Sequence, residues 1–477
     1  MLHNSQDEFS SKTVQAQVAI IGGGMAGLAL ASKLSPHLSV LIVERGDVDL
    51  APPGDEVSDE AISSGLAYPF GAIRDFRLGG STSIWAGYCA EFDDFDFRPR
   101  DWVPMSGWPL ERADLQPFRA DAGTFLNLRS TNFQPDVVTK EALVTIPTQV
   151  DGLQVTAWRF GKPILRILED WSFDDPDFTG LDIIANARAL DIILTPDHSQ
   201  VDHIRCRTRH AHEFTVKADA YIIATGGLES ARLLLASQSQ IAHGVANSSN
   251  LVGLCFCEHP HLVAQGFEFA LEHPIEIWAE KIRDRDGFPF SLCAGLPERR
   301  QSELGVLNHR AHIFRTPQME LKDRPKLGLF LEQSPNPESR VSLDGELDDW
   351  GIPKLNLHWT MNDLDRHTFA VSANEIGAQL EAFGAGHITH EVRATDFRDE
   401  DVLHSNHQLG TTRMSADPEL GPIDSNCRSH DHDNLYIAGG GVFPTVSWAN
   451  PSFTMLVLTL RLAEHIKKRF CVEQRVT

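Results

Sequence analysis

No two of the seven cysteines, at positions 89, 206, 255, 257, 293, 427 and 471, form a CxxC pair, and their number is odd. That usage excludes a disulfide framework as the organising device and reads as a reducing, cytoplasmic compartment. Cys255 and Cys257 form a CxC with redox potential, but two half-buried thiols on one face of a strand is the simpler reading. No apolar run approaches the roughly 20 residues needed to span a bilayer, and the first sixteen residues are polar, without the basic, apolar and small-residue order of an export leader. Cationic residues are scarce as well. Lys and Arg number 42 against 66 Asp and Glu, for a net charge of -24. With a pI near 5.2, this balance argues against nucleic acid or an anionic membrane as partner. The acid surplus could draw in a cationic substrate, although solubility alone accounts for it. Internal repeats and low-complexity segments are also missing.

A hydrophobic content of 42% and a charged content of 23% describe an ordinary globular protein. At 477 residues the chain exceeds one compact core and accommodates two sizeable domains. Residues 18–44, VAIIGGGMAGLALASKLSPHLSVLIVE, read as strand, glycine turn, helix and second strand ending in an acid. Gly22, Gly24 and Gly27 fit GxGxxG directly after the strand Val18 to Ile21, with a helix from about Met25. Gly22 permits the tight turn, Gly24 lets backbone approach a pyrophosphate, and Gly27 lets helix and strand pack closely. The phosphates then meet unpaired N–H groups at the positive end of a helix. Ser35-Pro36 stops that helix, and a strand from Ser39 to Val43 delivers Glu44. A carboxylate there can accept from ribose hydroxyls and repels a 2′-phosphate, favouring FAD or NAD over NADP.

A second strand, glycine turn and helix, AYIIATGGLESARLLLA at 220–236, is expected to add a strand to the same sheet. A second unit with its own acid is missing. Gly384 to Gly386 comes closest but follows a helical pattern, so one nucleotide cofactor is expected, which disfavours enzymes that hold NADPH in a separate fold of this kind. Between these units lie a Pro/Gly/Asp/Ser-rich loop from Asp47 to Gly65 and a helix starting near Ala113 or Asp114. From about 260 to 360 the pattern changes to short alternating strands, such as Pro325 to Phe330 and Arg340 to Leu343, separated by turns. Helical patterning returns from Met361 to Ala385. The expected fold class is α/β, with a Rossmann-type FAD-binding domain assembled from 1–100, 180–255 and 405–477. A second α+β substrate domain, built on an antiparallel sheet, comprises 101–179 and 256–404.

Near the C-terminus, Asn450-Pro451-Ser452 followed by FTMLVLTLRLAEHIKKR is a helix start, with Asn450 as N-cap, Pro451 at the first position, and Lys467, Lys468 and Arg469 suiting the far end. If a flavin lies against this N-terminus, the N–H groups of Ser452 and Phe453 would stabilise negative charge on its pyrimidine side. A capped core helix is the plainer alternative.

Taken together, GGGMAG with Glu44, LGGSTSIWAG at 78–87, ATGGLESARLL at 224–234, HQLGTTRM at 407–414, and NLYIAGGGVFPT with ANPSFT between 434 and 454 resemble the glucose-methanol-choline (GMC) oxidoreductase family, in family order across nearly the whole chain. The resemblance implies bound FAD and a variable substrate domain over the flavin. It implies His407 as catalytic base, since His407 rather than His404 fits HxxGT, and Asn450 as the second member of the pair. Gly79, Gly80, Ser81, Trp85, Ala86 and Gly87 would line the flavin. Met25, Ala26, Arg45 and Arg77 join the expected cofactor contacts near the first turn, and Ala189, Ala224, Gly440 and Gly441 those farther along. Histidine is missing between Arg77 and Phe97, where some members carry a covalent flavin link, so FAD is expected to be noncovalent.

The chemistry of the pair stands without the family. Hydride leaves an alcohol carbon more easily when the hydroxyl proton passes to a base, and imidazole, with an unperturbed pKa of about 6.5, suits that role. Asn450 can orient the hydroxyl but cannot take its proton. The expected activity is oxidation of a CH–OH group on a sugar, polyol, glycoside or aminosugar, with dioxygen or another electron acceptor completing the cycle. A redox-neutral lyase and a non-enzymatic flavin scaffold or sensor are the alternatives. His430 and His432 invite a metal reading, but a polar turn before the strand at Asn434 is favoured and no metal is expected. His309, His312, Glu332 and Gln333 are possible pocket residues, with partners inside the sheet or solvent the simpler reading for each.

Overall fold

Val18–Ile21, an unbroken apolar run, ends strand Thr13–Ile21, and Gly22 turns the chain at φ +106° toward helix Met25–Leu34. The computed structural model of the chain describes residues 2–4, 12–48, 60–140, 142, 144–162, 178–316, 319 and 323–473. Beside the first strand, Val40–Val43 runs parallel, Val18 opposite Val40 and Ile21 opposite Val43. Ser39 stays outside this strand, its carbonyl accepting from Gln17 and Val18 as the chain enters it. On the other side Glu213–Ile223 is also parallel, with Ala220 opposite Val18, and leads into helix Gly226–Ala236. Both glycine turns therefore leave the carboxyl ends of adjacent parallel strands, the position where sheets of this kind open a crevice.

The sheet runs in the order Leu2–Asn4, Leu181–Ala185, Val40–Val43, Thr13–Ile21, Glu213–Ile223, Val201–Thr208, Ala187–Leu194. At eleven residues, Glu213–Ile223 is long enough for two partners on one edge. Val201–Thr208 pairs antiparallel with its first half and Leu435–Ile437 parallel with its last three residues. Helices Met25–Leu34 and Ser452–Glu473 pack against each other, and their apolar residues join the sheet's in one core. Burial on both faces explains why these strands read as continuous apolar runs.

The second sheet is antiparallel, as expected from the alternating pattern: His261–Val263, Lys326–Leu331, His309–Phe314, Pro289–Gly295, Gln154–Phe160 and Tyr88–Cys89, with Ile282–Arg283 on Pro289–Gly295. Helix Asp363–Ala382 covers it, capped by Asn362, whose side chain accepts from the Asp365 N–H. A third, three-stranded sheet joins Arg340–Leu347, Pro353–His358 and Ala61–Ser63. Tyr88–Cys89 and Ala61–Ser63 come from the first hundred residues yet complete edges built from later segments, because an edge strand needs a backbone partner wherever the chain supplies one. Arg100 and Glu332 form a buried two-pronged pair, at 2.7 and 2.6 Å, between these parts.

The helix expected near Ala113 or Asp114 starts at Arg112, as the short helix Arg112–Leu115 with a reciprocal Glu111/Asp114 cap, and is followed by helix Arg119–Phe125. Local readings differ from the structure at two other points. Cys255 and Cys257 are buried thiols in irregular chain, where Cys255 holds φ +59° and only a single bridge pairs Cys257 with Leu409. Asn450 does not cap the last helix with its side chain; the Pro451 carbonyl accepts from Met455, and the Asn450 amide is turned toward His407. Most of the loop from Asp47 to Gly65 lies outside the described residues.

Candidate active site

A cavity of about 510 Å³ runs from the first glycine turn to His407 and Asn450, within the size range of small-molecule and cofactor sites. At one end, helix Met25–Leu34 begins with no side-chain cap and no acid in its first turn, so its leading N–H groups carry no side-chain partner. Gly24 faces Gly80, and a Cβ on Gly24 would have only the Gly80 Cα, 4.0 Å away, as neighbour. Backbone therefore forms the wall, and a helix end is aimed at it, which suits a diphosphate.

Glu44 stands beside this turn. Its Oε2 accepts from the Gly23 N–H and its Oε1 from the Gly46 N–H, both at 2.7 Å. Burial nevertheless raises its pKa above the ordinary carboxylate value. Each oxygen retains a lone pair for a ribose hydroxyl. Farther along, Arg45, Arg74, Arg188 and Arg232 line the cavity. Arg74 pairs with Glu229 at 2.6 Å, while Arg188 and Arg232 share Asp348 at 2.6 and 2.7 Å. Glu60 holds Arg45. Burial raises the pKa of Glu229, but Arg232, Arg188, Arg74 and Arg45 outweigh it and hold the group down to about 2. Four guanidinium groups thus bring donors to this wall that an anionic cofactor can use, with Glu44, Glu60, Glu229 and Asp348 balancing their charge.

At the opposite end His407 and Asn450 meet. Asn450 Nδ2 lies 3.5 Å from His407 Nε2. Asn450 Oδ1 is buried with no partner among the described residues. An orphaned acceptor facing the cavity is a cost that a ligand hydrogen bond would remove. Behind His407, Glu258 is fully buried and accepts four bonds: from the backbone N–H groups of His259, Ser405 and His407, and from the Tyr68 hydroxyl. Burial pushes its pKa up to about 7 against these bonds. His407 Nδ1 lies 2.7 Å from His259 Nδ1, and burial, reinforced by His259, holds the His407 pKa well below that of free imidazole. His404 also reaches the cavity, but its Nδ1 is taken by Asn406 Oδ1 at 2.6 Å.

Of the residues expected at the cofactor, Gly22, Gly24, Met25, Ala26, Glu44 and Arg45 line the cavity, as do Gly80, Ser81, Trp85 and Ala86. Ala189, Ala224, Gly440 and Ser452 complete the set. Six others do not line it. Gly27 serves packing, since a Cβ there would stand 2.0 Å from the Gly22 carbonyl oxygen. Arg77 is buried in a pair with Asp75 at 2.7 Å. Gly79 donates its N–H to Gly23 across the two loops. Gly87, at φ +83°, lies against Gly161, Gly441 lies against Thr412, and the Phe453 ring packs edge-on to Phe133.

His259, Glu258, Gly227 and the Arg188/Arg232 pair were not singled out from the sequence. Gly227 had a signal, as the second glycine of ATGG, whereas His259 is one of 21 histidines in a stretch without periodicity. His309, Glu332 and Gln333 are structural: His309 bonds the Leu307 carbonyl and Leu296 N–H, Glu332 pairs with Arg100, and Gln333 bonds the Glu258 N–H and Trp359. His430 bonds the Ser415 carbonyl, and His432 the His198 carbonyl and Ala246 N–H. No group of three or more metal-binding side chains occurs among the described residues, and no described helix is long and apolar enough to cross a membrane.

Residues 335–459 match the family model described as GMC oxidoreductase. The 6'''-hydroxyparomomycin C oxidase of Streptomyces lividus is 25% identical over 534 residues, covering 96% of this chain and 92% of that one. The fructose dehydrogenase large subunit of Gluconobacter japonicus is 28% identical over 269 residues, and the match spans about half of each chain, 53% of this one and 47% of that one. Among solved structures, pyridoxine 4-oxidase from Mesorbium loti shares the fold, with a TM-score of 0.60 and 18% identity over 94% of this chain and 98% of that one. With the nucleotide crevice and the His/Asn pair at its far end, these matches make the chain similar to the glucose-methanol-choline oxidoreductases, an FAD-dependent family whose model covers residues 335–459.

Proposed function

We propose that this protein oxidises a CH–OH group of a neutral sugar or glycoside to the carbonyl, with His407 as the base and Asn450 orienting the hydroxyl. The observation that carries the reading is the pairing of His407 Nε2 and Asn450 Nδ2 at 3.5 Å, at the end of the cavity that begins at the nucleotide turn. The first glycine turn, Glu44 and the arginine wall would hold FAD. When bound, FAD supplies the two-electron acceptor for hydride from the carbinol carbon. His407 takes the hydroxyl proton. Asn450 donates to the same oxygen through Nδ2, and its unpartnered Oδ1 is available to a neighbouring hydroxyl.

The substrate class rests on a side cavity of about 180 Å³ that shares Tyr88, Phe330 and Asn450 with the main one. Its walls include Trp158 and His312, and the His261 ring lies tilted beside that of His312, with ring centres 4.8 Å apart. Trp158 Nε1, His312 Nδ1 and His261 Nε2 are all buried without partners among the described residues. Burial holds His261 at about 4 and His312, beside it, at about 3, so both rings are neutral at pH 7. Gly328 makes room for the two rings, since a Cβ would stand 2.5 Å from His312 and 2.7 Å from His261. Aromatic faces with neutral, unsatisfied donors and acceptors suit a sugar ring, whose hydroxyls both donate and accept. A cationic aminosugar fits less well: Glu280 is the one acid lining the side cavity among the described residues, and Lys281 lies beside it, over the Phe160 ring at 4.2 Å.

Anaerobic mixing of the FAD-loaded protein with neutral sugars, glycosides, aminoglycosides and simple alcohols, followed at the oxidised-flavin band, tests both parts. Bleaching by neutral sugars or glycosides is expected, and admitting air then separates oxidase from dehydrogenase. Bleaching by aminoglycosides alone would overturn the substrate class, and bleaching by none of the panel would overturn alcohol oxidation.

A further inference from the structure

We propose that His259 is a positioning residue that fixes the tautomer of His407, holding the proton on His407 Nδ1 and leaving the Nε2 lone pair bare toward the cavity. The inference deepens the reading of His407 as base and rests on it.

The assignment follows from what carbonyl oxygens can do. His259 Nε2 lies 3.0 Å from the Val446 carbonyl oxygen and 2.9 Å from that of Ser447. Both oxygens only accept, so Nε2 carries a hydrogen. The His259 side chain is 0% exposed, and burial holds its pKa at about 4, so at neutral pH the ring has one hydrogen and Nδ1 is a bare acceptor. That acceptor sits 2.7 Å from His407 Nδ1. Two bare lone pairs at this distance would repel, so His407 Nδ1 is the donor. His407 is itself neutral, which leaves Nε2 unprotonated where it faces the Asn450 amide. The Asn450 Nδ2 group is a donor and agrees independently with a bare Nε2.

The opposite arrangement needs His259 to be a cation in order to donate from both nitrogens. Its surroundings do not support that charge: the Phe330 ring stacks on it, the Glu258 carboxylate is engaged by four donors, and Glu332 is committed to Arg100. The carbonyls also have a built orientation. Ser447 holds φ +57°, a left-handed conformation unusual for a residue with a side chain, and its Oγ is tied to Asp96 at 2.6 Å. This turn brings two successive carbonyls to one N–H, three residues before Asn450. The two members of the catalytic pair are thus referred to a single loop: Asn450 through the backbone, His407 through His259.

The test uses the FAD-loaded protein labelled with ¹⁵N-histidine, whose ring-nitrogen resonances at neutral pH distinguish protonated from bare nitrogens; the His407 signals are identified by their loss in His407→Ala. The expected wild-type pattern is His407 protonated at Nδ1 and His259 at Nε2. In His259→Phe the His407 proton should move wholly or partly to Nε2, and flavin reduction by the best sugar of the panel should fall about 10²-fold at unchanged FAD content. His259→Asn places Oδ1 where Nδ1 stood and should recover most of both readouts. A protonated Nε2 on wild-type His407, or an unmoved tautomer in His259→Phe, would overturn the proposal. If the tautomers are as stated but no alcohol reduces the flavin, the positioning role stands and the alcohol-oxidation reading falls.

Discussion

A single methyl group at Gly227 should reach the catalytic base. Gly227 lies in the first turn of helix Gly226–Ala236, and a Cβ there would stand 2.2 Å from the carbonyl oxygen of Gln408, the residue after His407. Ordinary contact begins near 3.4 Å, so the carbonyl must retreat by about 1.2 Å, the difference between 3.4 and 2.2. The loop is not free to lift as a unit. Thr411 Oγ1 donates to the Gly227 carbonyl at 2.6 Å, Leu409 exchanges backbone bonds of 3.0 and 3.1 Å with Cys257, and Thr412 donates to Gly441 at 2.8 Å. With residues 409–412 pinned, the strain falls on Gln408 and His407. Overpacking of this kind costs about 1–3 kcal/mol of stability, and a displacement of about 1 Å at the reacting groups costs about 10²-fold in rate. The assay is anaerobic stopped-flow reduction of the bound flavin in wild type and Gly227→Ala, with FAD stoichiometry measured on both. Gly226→Ala is the control: at φ +81° it carries backbone strain of about 1–2 kcal/mol, but its Cβ meets only the Gln408 side chain at 3.6 Å. A Gly227→Ala protein that holds FAD and reduces it at wild-type speed would refute the reasoning.

His407→Ala should slow flavin reduction by about 10²- to 10⁴-fold without loss of FAD, and an unchanged rate would remove His407 from the mechanism. Acid precipitation should release all the flavin into the supernatant, since no histidine lies between Arg77 and Phe97 to hold it covalently. Glu258, with its pKa raised to about 7, contributes stability that is fully present below about 4.5 and lost as pH rises through 7. The melting temperature of Glu258→Gln should therefore fall further below wild type at pH 5 than at pH 8, a difference equivalent to about 3 kcal/mol; a gap independent of pH would contradict the raised value. Arg100→Met leaves Glu332 buried without its partner and should cost about 3–5 kcal/mol in denaturant unfolding, whereas Arg100→Met with Glu332→Leu should recover most of that loss.

The parts of this site legible in the sequence are those that backbone geometry dictates. Gly22 must adopt φ +106°, and at Gly27 a Cβ would stand 2.0 Å from the Gly22 carbonyl oxygen, so the residue types announce their positions before any fold is known. The same holds for the strands around Val18 and Ala220, whose burial on both faces demands continuous apolar runs. Side-chain partnerships between distant segments carry no such local constraint. Asn450 has the sequence context of an N-cap, and its short amide satisfies that pattern equally well when it is turned into a cavity; only the position of His407, 43 residues earlier, decides between the two. Arg77 and Gly87 sit within a motif that reads as cofactor-lining throughout. Asp75 and Gly161, however, turn those two residues to internal tasks while their neighbours Gly80, Ser81, Trp85 and Ala86 keep the cavity. His259 is the extreme case. Nothing in CFCEHPH distinguishes it from the other histidines, because its role comes from two carbonyls 187 and 188 residues away and one imidazole 148 residues away. A residue that controls a proton through another residue leaves its signature in donor and acceptor geometry, and that geometry exists only once three remote segments have been brought to the carboxyl ends of the parallel strands.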